Sequence, residues 1–445
     1  MNSKKAWISI VSMTLVAGTI AGCSTGSGTD TKQAAAPSAA NTPAAEKKQP
    51  VTLTFWGGVP EENGPKAVVD AWNKQNPDIQ VKYERFVNDD AGNLKLDTAL
   101  IAGQNVDLFV NYSTTRLQKR VDNGNVVDMS AWKDYNIDEK MGPEAAEWKL
   151  DGKYYGLPTK KNIYFFWLNK DALDKAGLPV PTEWTWKDVQ DYAVKLKTDK
   201  RYGLVQHMEA FPDPMDGSLA AKKYVKADGT SDFNNPLVGT WLETLNAMMQ
   251  DGKATPPLGE QLTTKMPVET VFLKGEAAMM NAGEWIFRSA NDLKANPRDF
   301  KIAFAPVPKV TKEQADYKIR GGLGDTISIS AKSANKEAAW KFLKWYADGG
   351  MMPMASGGRI PSSKDASAEE ATKLLLGDAA GTYDQDSLKK VVFGKFTTYN
   401  RDLPQQVMDL RREEYEKYFL GKQDLKTTLD ALAKRHNDFL KQSKK

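Results

Sequence analysis

Eighteen residues, Phe272–Ser289 (FLKGEAAMMNAGEWIFRS), constrain the fold of this chain more than any other stretch. The apolar spacing of Pro267–Lys274 predicts a short helix that Gly275 stops in the left-handed conformation. Ala277–Met280 is a short apolar run between turn signals, the pattern of a strand buried on both faces. Asn281, Gly283, Glu284 and Trp285 then fall where the sheet hands over to a new helix. In open α/β sheets, ligands sit outside the carboxyl ends of the strands. A large aromatic among polar groups at that point is a candidate binding surface; an ordinary core tryptophan is the competing reading.

The amino-terminal third shows how such a sheet is built. Val51–Trp56 alternates as a half-buried strand and Gly57-Gly58 turn the chain. Pro65 suits the first position of a helix carrying Val68 and Trp72 one turn apart. Ile79, Val81 and Tyr83 alternate again, Leu94, Thr98 and Ile101 stripe a second helix, and Val106–Val110 is a third strand ending in Asn111-Tyr112-Ser113-Thr114. This βαβαβ order predicts a parallel sheet with helices on its faces. Further on, Asp151-Gly152 signals a hairpin, Ile163–Leu168 an aromatic strand, and Thr185 with Asp188 a capping box. Tyr202–Gln206, Phe300–Ala305 and Thr326–Ser330 read as strands. Helices are expected over Asn169–Leu178, from Asn235-Pro236 to Gln250, and over Glu337–Ala347, Pro404–Leu420 and Leu425–Lys441.

At 445 residues the chain exceeds what one core usually supports, so two domains are expected. Its formal charge of +4 is nearly balanced and argues against a nucleic-acid partner. Residues 1–22 read as a targeting leader: Lys4 and Lys5, an apolar Trp7–Val16, then Ile20-Ala21-Gly22 before Cys23. This ending resembles a bacterial lipobox, which implies lipidation of Cys23, the one cysteine in the chain. With one cysteine there is no intrachain disulfide. Residues 23–50 form a tether rich in small and polar residues that cannot bury a core, long enough to span roughly 90 Å when extended.

Six stretches together resemble the extracellular solute-binding proteins of ABC importers, in the family that includes the maltose-binding protein. They are VTLTFWGG at 51, AWNKQNPDIQVKYE at 71, KLDTALIAGQNVDLFV at 95, NIYFFWLNKDALDKAGLPVPTEWTWKDV at 162, FLKGEAAMMNAGEW at 272 and GGLGDTISISAKSANKEAAWKFLKW at 321. The resemblance implies an α/β, two-lobed periplasmic-binding-protein-like fold of class II, with the ligand in a cleft between the lobes. The first lobe would be 51–157 plus 323–365, the second 158–321 plus 366–445, hinged near Pro158–Lys160 and Gly321–Gly322. It further implies a monomer, lipid-anchored on the outer face of a Gram-positive-type cell membrane, that captures an oligosaccharide or other small solute and delivers it to the transmembrane permease subunits. No cofactor and no metal are expected.

A sugar needs flat aromatics for its ring faces and planar polar groups for its hydroxyls, because each buried hydroxyl left unpaired costs about 1–3 kcal/mol. The resemblance gives Trp285 the stacking role, with Glu284 and Asn281 on the same wall. Trp56 with Glu61 and Glu62, and Tyr112 with Thr114 and Arg116, would form the opposite wall. Gly321, Gly322 and Asp325 match a segment that approaches ligand, although Leu323 stands where the family commonly has an aromatic. Arg359 lies in a loop that matches the cleft mouth, and Phe211 with Glu209 and Asp213 is a candidate ligand loop. Tyr164, Phe166 and Trp167 read as a core strand, with the edge of the site as the alternative.

Enzyme signatures are sparse. Ser333-Ala334-Asn335-Lys336 fits a Ser-x-x-Lys pattern without its companion motifs and reads as a cap for the helix near Glu337. His207 and His436 are the only histidines and lack metal-ligand spacing. Abundant acids leave a glycosidase pair open, so a lipid-anchored carbohydrate-active enzyme is one alternative. A same-fold binder of a peptide, polyamine or phosphodiester is the other. Polyamines would need several cleft carboxylates, phosphates a basic lining.

Overall fold

The computed structural model describes residues 50–207, 217–400 and 403–443. Strand β1 (Val51–Gly57) turns Leu53 and Phe55 into the core, as its alternation requires. It pairs in parallel with β2 (Ile79–Arg85) on one side and β3 (Leu108–Asn111) on the other. Helix α1 (Pro65–Gln75) joins the first pair, with proline in its first turn, and buries Val68 and Trp72. The Trp72 indole donates to the Ile79 carbonyl at 2.7 Å, tying the helix to the strand that follows it.

Helix α2 (Asp90–Ala102) is rotated away from the expected stripe. Its buried positions are Asn93, Leu96, Ala99 and Leu100, whereas Leu94 and Ile101 are 65% and 59% exposed. The cause is Arg120, on helix α3 (Thr114–Asp122), whose guanidinium is fully buried. It donates to Asp97 Oδ1 at 2.7 Å, Asn111 Oδ1 at 2.7 Å and Asn93 Oδ1 at 3.0 Å. Leaving an aliphatic side chain exposed forgoes about 1.5–3 kcal/mol. A buried charge stripped of its partner costs about 3–5 kcal/mol. Pairing Arg120 therefore sets the rotation.

Strand β4 (Leu157–Asn169) is longer than the aromatic run predicts, because its first half is a crossover. Leu157–Ile163 pairs antiparallel with β8 (Ile319–Ile329), and the second half pairs with β6 (Ala277–Gly283) and β7 (Ile302–Pro306). Beyond β6 lies β5 (Tyr202–Gln206), in parallel, and β8 returns to pair with β3. The strand path is thus β2-β1-β3-β8-β4-β6-β5. Two short strands complete it: β9 (Ile360–Pro361) on Lys160 and Lys161, and β10 (Thr398–Tyr399) on the start of β8. Gly321–Asp325, expected as a segment that approaches ligand and as part of the hinge, lies within β8. The third passage between lobes, at β9, carries no sequence signal because two residues show no alternation.

The molecule is two-lobed. One core gathers side chains from Leu53 to Leu157 and from Leu323 to Met354. The second lobe has two cores on opposite faces of one sheet. Phe166, Leu168, Leu204 and Met279 point into one, and their neighbours Phe165, Trp167, Val205 and Met280 into the other. Several local expectations hold. Thr185 and Asp188 form the reciprocal capping box, Asp151 and Gly152 make a two-residue turn at positive φ, and Gly275 ends its helix at φ 75°. Ser333 does not cap a helix. Its hydroxyl donates to Asp107, a buried carboxylate that also accepts from Thr54 N at 2.9 Å, and the helix Lys336–Trp345 starts after Asn335 without a side-chain cap.

Candidate functional site

The carboxyl ends of β1, β2 and β3 meet at the glycine turn after β1. Tyr83 Oη donates to the Val59 carbonyl at 2.8 Å and accepts from Val59 N at 3.1 Å, and Tyr112 Oη accepts from Gly58 N at 2.6 Å. A Cβ on Gly57 would lie 2.6 Å from the Tyr83 oxygen, and one on Gly58 2.9 Å from the Tyr112 oxygen. Both glycines are there to let the phenols approach the backbone. Burial pushes both phenols up, so each stays a protonated donor. Asp325, at φ 46°, stands beside Tyr112, and its Oδ2 is 3.4 Å from Arg359 Nε. Burial opposes the charge on Arg359, but Asp325, then Tyr112, Glu284 and Tyr346, outweigh it and hold the guanidinium above its ordinary value.

In the second lobe, β6 runs three residues past the expected run, because Tyr164, Phe165 and Phe166 of β4 pair with Gly283, Ala282 and Asn281. Glu284 follows and is fully buried. Its Oε2 accepts from Ile163 N at 2.8 Å, and Oε1 lies against Lys160 Nζ as an ion pair rather than as a directed hydrogen bond. The structure therefore corrects the expectation that Glu284 meets ligand: it grips the midpoint of the β4 crossover. Trp285 is half-buried, its ring close against Gly283, where a Cβ would lie 1.9 Å from the indole. Tyr164 meets it edge-on, centroids 5.1 Å apart. Asn281 and its register neighbour Gln206 are buried, and each carries a side-chain oxygen without a hydrogen-bond partner.

One segment joins the two walls. A Cβ at Gly357 would lie 2.5 Å from the Asn63 carbonyl of the first lobe, and one at Gly358 2.9 Å from the Glu284 carbonyl of the second. Arg359 is carried by this wedge. Gly321 and Gly322 line a cavity of about 210 Å³ with Glu144, Glu147, Thr398 and Asn400. Leu323 is core, and its carbonyl accepts from Trp148 Nε1 at 2.8 Å and from Asn400 Nδ2.

Other expected residues lie elsewhere. Trp56 is 5% exposed with Lys95 Nζ 4.8 Å from its ring centroid, so it offers no face for stacking. The strand pleat turns Phe55 toward Phe342 and Tyr346, and hence Trp56 toward α2. Arg116 pairs with Asp90 at 2.7 Å, and Thr114 is buried in the first turn of α3. Glu61 and Glu62 are exposed on the turn Glu61–Asn63. Of the aromatic run, Phe166 and Trp167 are core, while Tyr164 reaches the site. Glu209, Phe211, Asp213 and Cys23 lie outside the described residues. Sequence reasoning missed Tyr83, Lys160 and Arg288. Arg288, one helical turn after Trp285, had a usable signal; Lys160 had none, since its partner is distant in sequence.

Among the described residues no cluster of His, Cys, Asp or Glu is arranged to hold a metal ion, and no helix is long and apolar enough to cross a membrane. The site thus brings together an aromatic pair, buried amide oxygens and two walls joined by crossover strands. Residues 58–349 match the family described as bacterial extracellular solute-binding protein, and the chain belongs to that family. It is 27% identical over 288 residues to a protein of Brucella abortus (strain 2308) described no further than as a binding protein; the match covers 62% of this chain and 66%, just under two thirds, of that one. It is 26% identical over 303 residues to the arabinooligosaccharide-binding protein of Bacillus subtilis (strain 168), covering 65% and 68%. The solved structure of an ABC substrate-binding protein from Listeria monocytogenes in complex with cycloalternan superposes with a TM-score of 0.70 at 21% identity, over 89% of this chain and 99% of that one.

Proposed function

We propose that this chain is the substrate-binding component of an ABC importer, capturing an oligosaccharide by closure of its lobes and delivering it to a membrane permease. The carrying observation is the half-buried Trp285–Tyr164 pair at the carboxyl end of β6, beside buried amide oxygens with no partner. Such oxygens cost about 1–3 kcal/mol each while unsatisfied, which sugar hydroxyls would offset. The named sugar-binding relatives support the same reading. Residues 51–157 with 323–365 form one lobe, and 158–321 with 366–445 the other. Closure bends the crossovers at Pro158–Lys160, Gly321–Gly322 and β9. The protein acts as a monomer, held to the outer face of the membrane through lipidated Cys23 and the tether of residues 24–50.

Calorimetry of the full chain against mono- and oligosaccharides, before and after Trp285→Ala, tests the reading. A stacked tryptophan in a desolvated site is a hot spot, so affinity should fall by about 2 kcal/mol or more, roughly thirtyfold. Because the ring is only half-buried, stability should fall less than the 3–5 kcal/mol typical of a fully packed tryptophan. Unchanged affinity with a large drop in stability would sink the site assignment.

A further inference from the structure

Among the described arginines, Arg85 and Arg288 alone make no hydrogen bond or ion pair. They stand on opposite lobes. Arg85 ends β2 opposite Gly57, at the glycine turn. Arg288 is half-buried in the helix Phe287–Asn291, which packs on the turn Met352–Gly357 just before the Gly357–Arg359 wedge. It follows Trp285 by three residues, which places it on the same helical face as the stacking ring. Burial lowers the pKa of Arg288, and Arg359 and Arg85, from two other elements, lower it further. Glu269 and Glu62 oppose that effect without reaching ion-pair contact; Glu269 accepts from Ser289 Oγ at 3.2 Å, Glu62 is exposed, and Asp325 is taken by Arg359.

We propose that the ligand is an anionic glycan, with a hexuronate carboxylate seated between Arg85 and Arg288 beside the Trp285–Tyr164 platform. This rests on the carbohydrate reading above and adds the charge of the sugar to it. A guanidinium presents a planar fork that matches a carboxylate two bonds at a time, and a half-buried fork without a partner is ready to receive one. Like charges approaching from two lobes resist closure; an oxyanion between them turns the repulsion into attraction. The anion would then select the closed state through its differential contacts, so that neutral sugars close the cleft less completely. A sugar phosphate offers the same oxyanion and is the second source to separate.

The test is calorimetry of the full chain with oligogalacturonates, oligomannuronates and glucuronate-substituted xylo-oligosaccharides, each beside its carboxyl-reduced neutral counterpart, and with hexose phosphates. At least one uronate should bind about 10- to 100-fold tighter than its reduced partner, as expected for hydrogen bonds to a charged group. Arg288→Gln and Arg85→Gln should each remove most of that difference, bringing the uronate's affinity toward that of its reduced counterpart, while Arg288→Lys should retain part of it. Equal affinity for acidic and reduced forms, or a preference indifferent to both arginines, overturns the anionic subsite while leaving the carbohydrate reading standing. Binding of hexose phosphates alone overturns the carboxylate in favour of a phosphate ester. Failure of every sugar to bind overturns both readings.

Discussion

Removing Glu284 should be among the most destabilising single changes in this protein, and removing Lys160 with it should restore much of the loss. Glu284 is fully buried and Lys160 nearly so, their side chains 0% and 5% exposed. Truncating one partner of a buried pair strands the other charge, at about 3–5 kcal/mol. Glu284→Ala also takes the acceptor from Ile163 N, an unsatisfied donor worth about 1–3 kcal/mol more. Glu284→Gln keeps an amide oxygen for that N–H and isolates the charge effect. Lys160→Met keeps the aliphatic stem and removes the ammonium. The double variant leaves neither charge, and neutral replacements of buried pairs are often near neutral in stability. Urea unfolding midpoints of the wild type, both singles and the double close a thermodynamic cycle, in which a coupling of about 2 kcal/mol or more is expected. If the two losses simply add, Lys160 and Glu284 are not interdependent, and Glu284 does not act as the clamp described.

Two predictions lie away from the cleft. His436 is 2% exposed, its Nδ1 is 3.0 Å from Ser231 Oγ, and burial pushes its pKa down from 6.5 to about 4. Its folded value lies below its unfolded one, so the neutral imidazole contributes fully above about pH 7, and roughly 2–3 kcal/mol is lost as pH falls toward 4. His436→Gln should flatten that part of the stability–pH curve, and an unaltered slope between pH 7 and 4.5 would refute the assignment. Cys23→Ala should move the protein from the membrane fraction to the medium, or leave its leader uncleaved, because stable anchoring takes more than one acyl chain's worth of attachment; normal lipid labelling of the variant would count against a lipobox.

Sequence reasoning reached the fold where local signals and tertiary demands agreed. Strands β1 and β2 alternate in sequence and β3 is a short apolar run, all three contributing to the first core, and the Thr185–Asp188 box is decided within four residues. It failed on α2, where the helical stripe Leu94, Thr98, Ile101 is genuine but a buried guanidinium two elements away determines which face turns inward. It also stopped β6 too early. Asn281 is a poor strand former by composition and is extended only because Phe166 and Gln206 pair with it on either side.

The candidate site divides along the same line. Trp285 stands out in sequence because it follows a strand, a glycine and an acid, and in the structure it is half-buried in the turn directly after β6. Glu284 shares the same context, and nothing local distinguishes a carboxylate that meets ligand from one that grips a crossover. The distinction lies in Lys160 and Ile163, more than a hundred residues away. The two adjacent residues therefore divide the work of one motif. On the proposed function, Trp285 offers the surface a ligand would occupy, while Glu284, through Ile163 N and Lys160, fastens the adjacent residue to the β4 crossover that would bend on closure. A shift of the indole on binding would be transmitted through one peptide bond to the crossover, which is why Glu284→Gln, with the platform itself intact, should alter closure as well as stability.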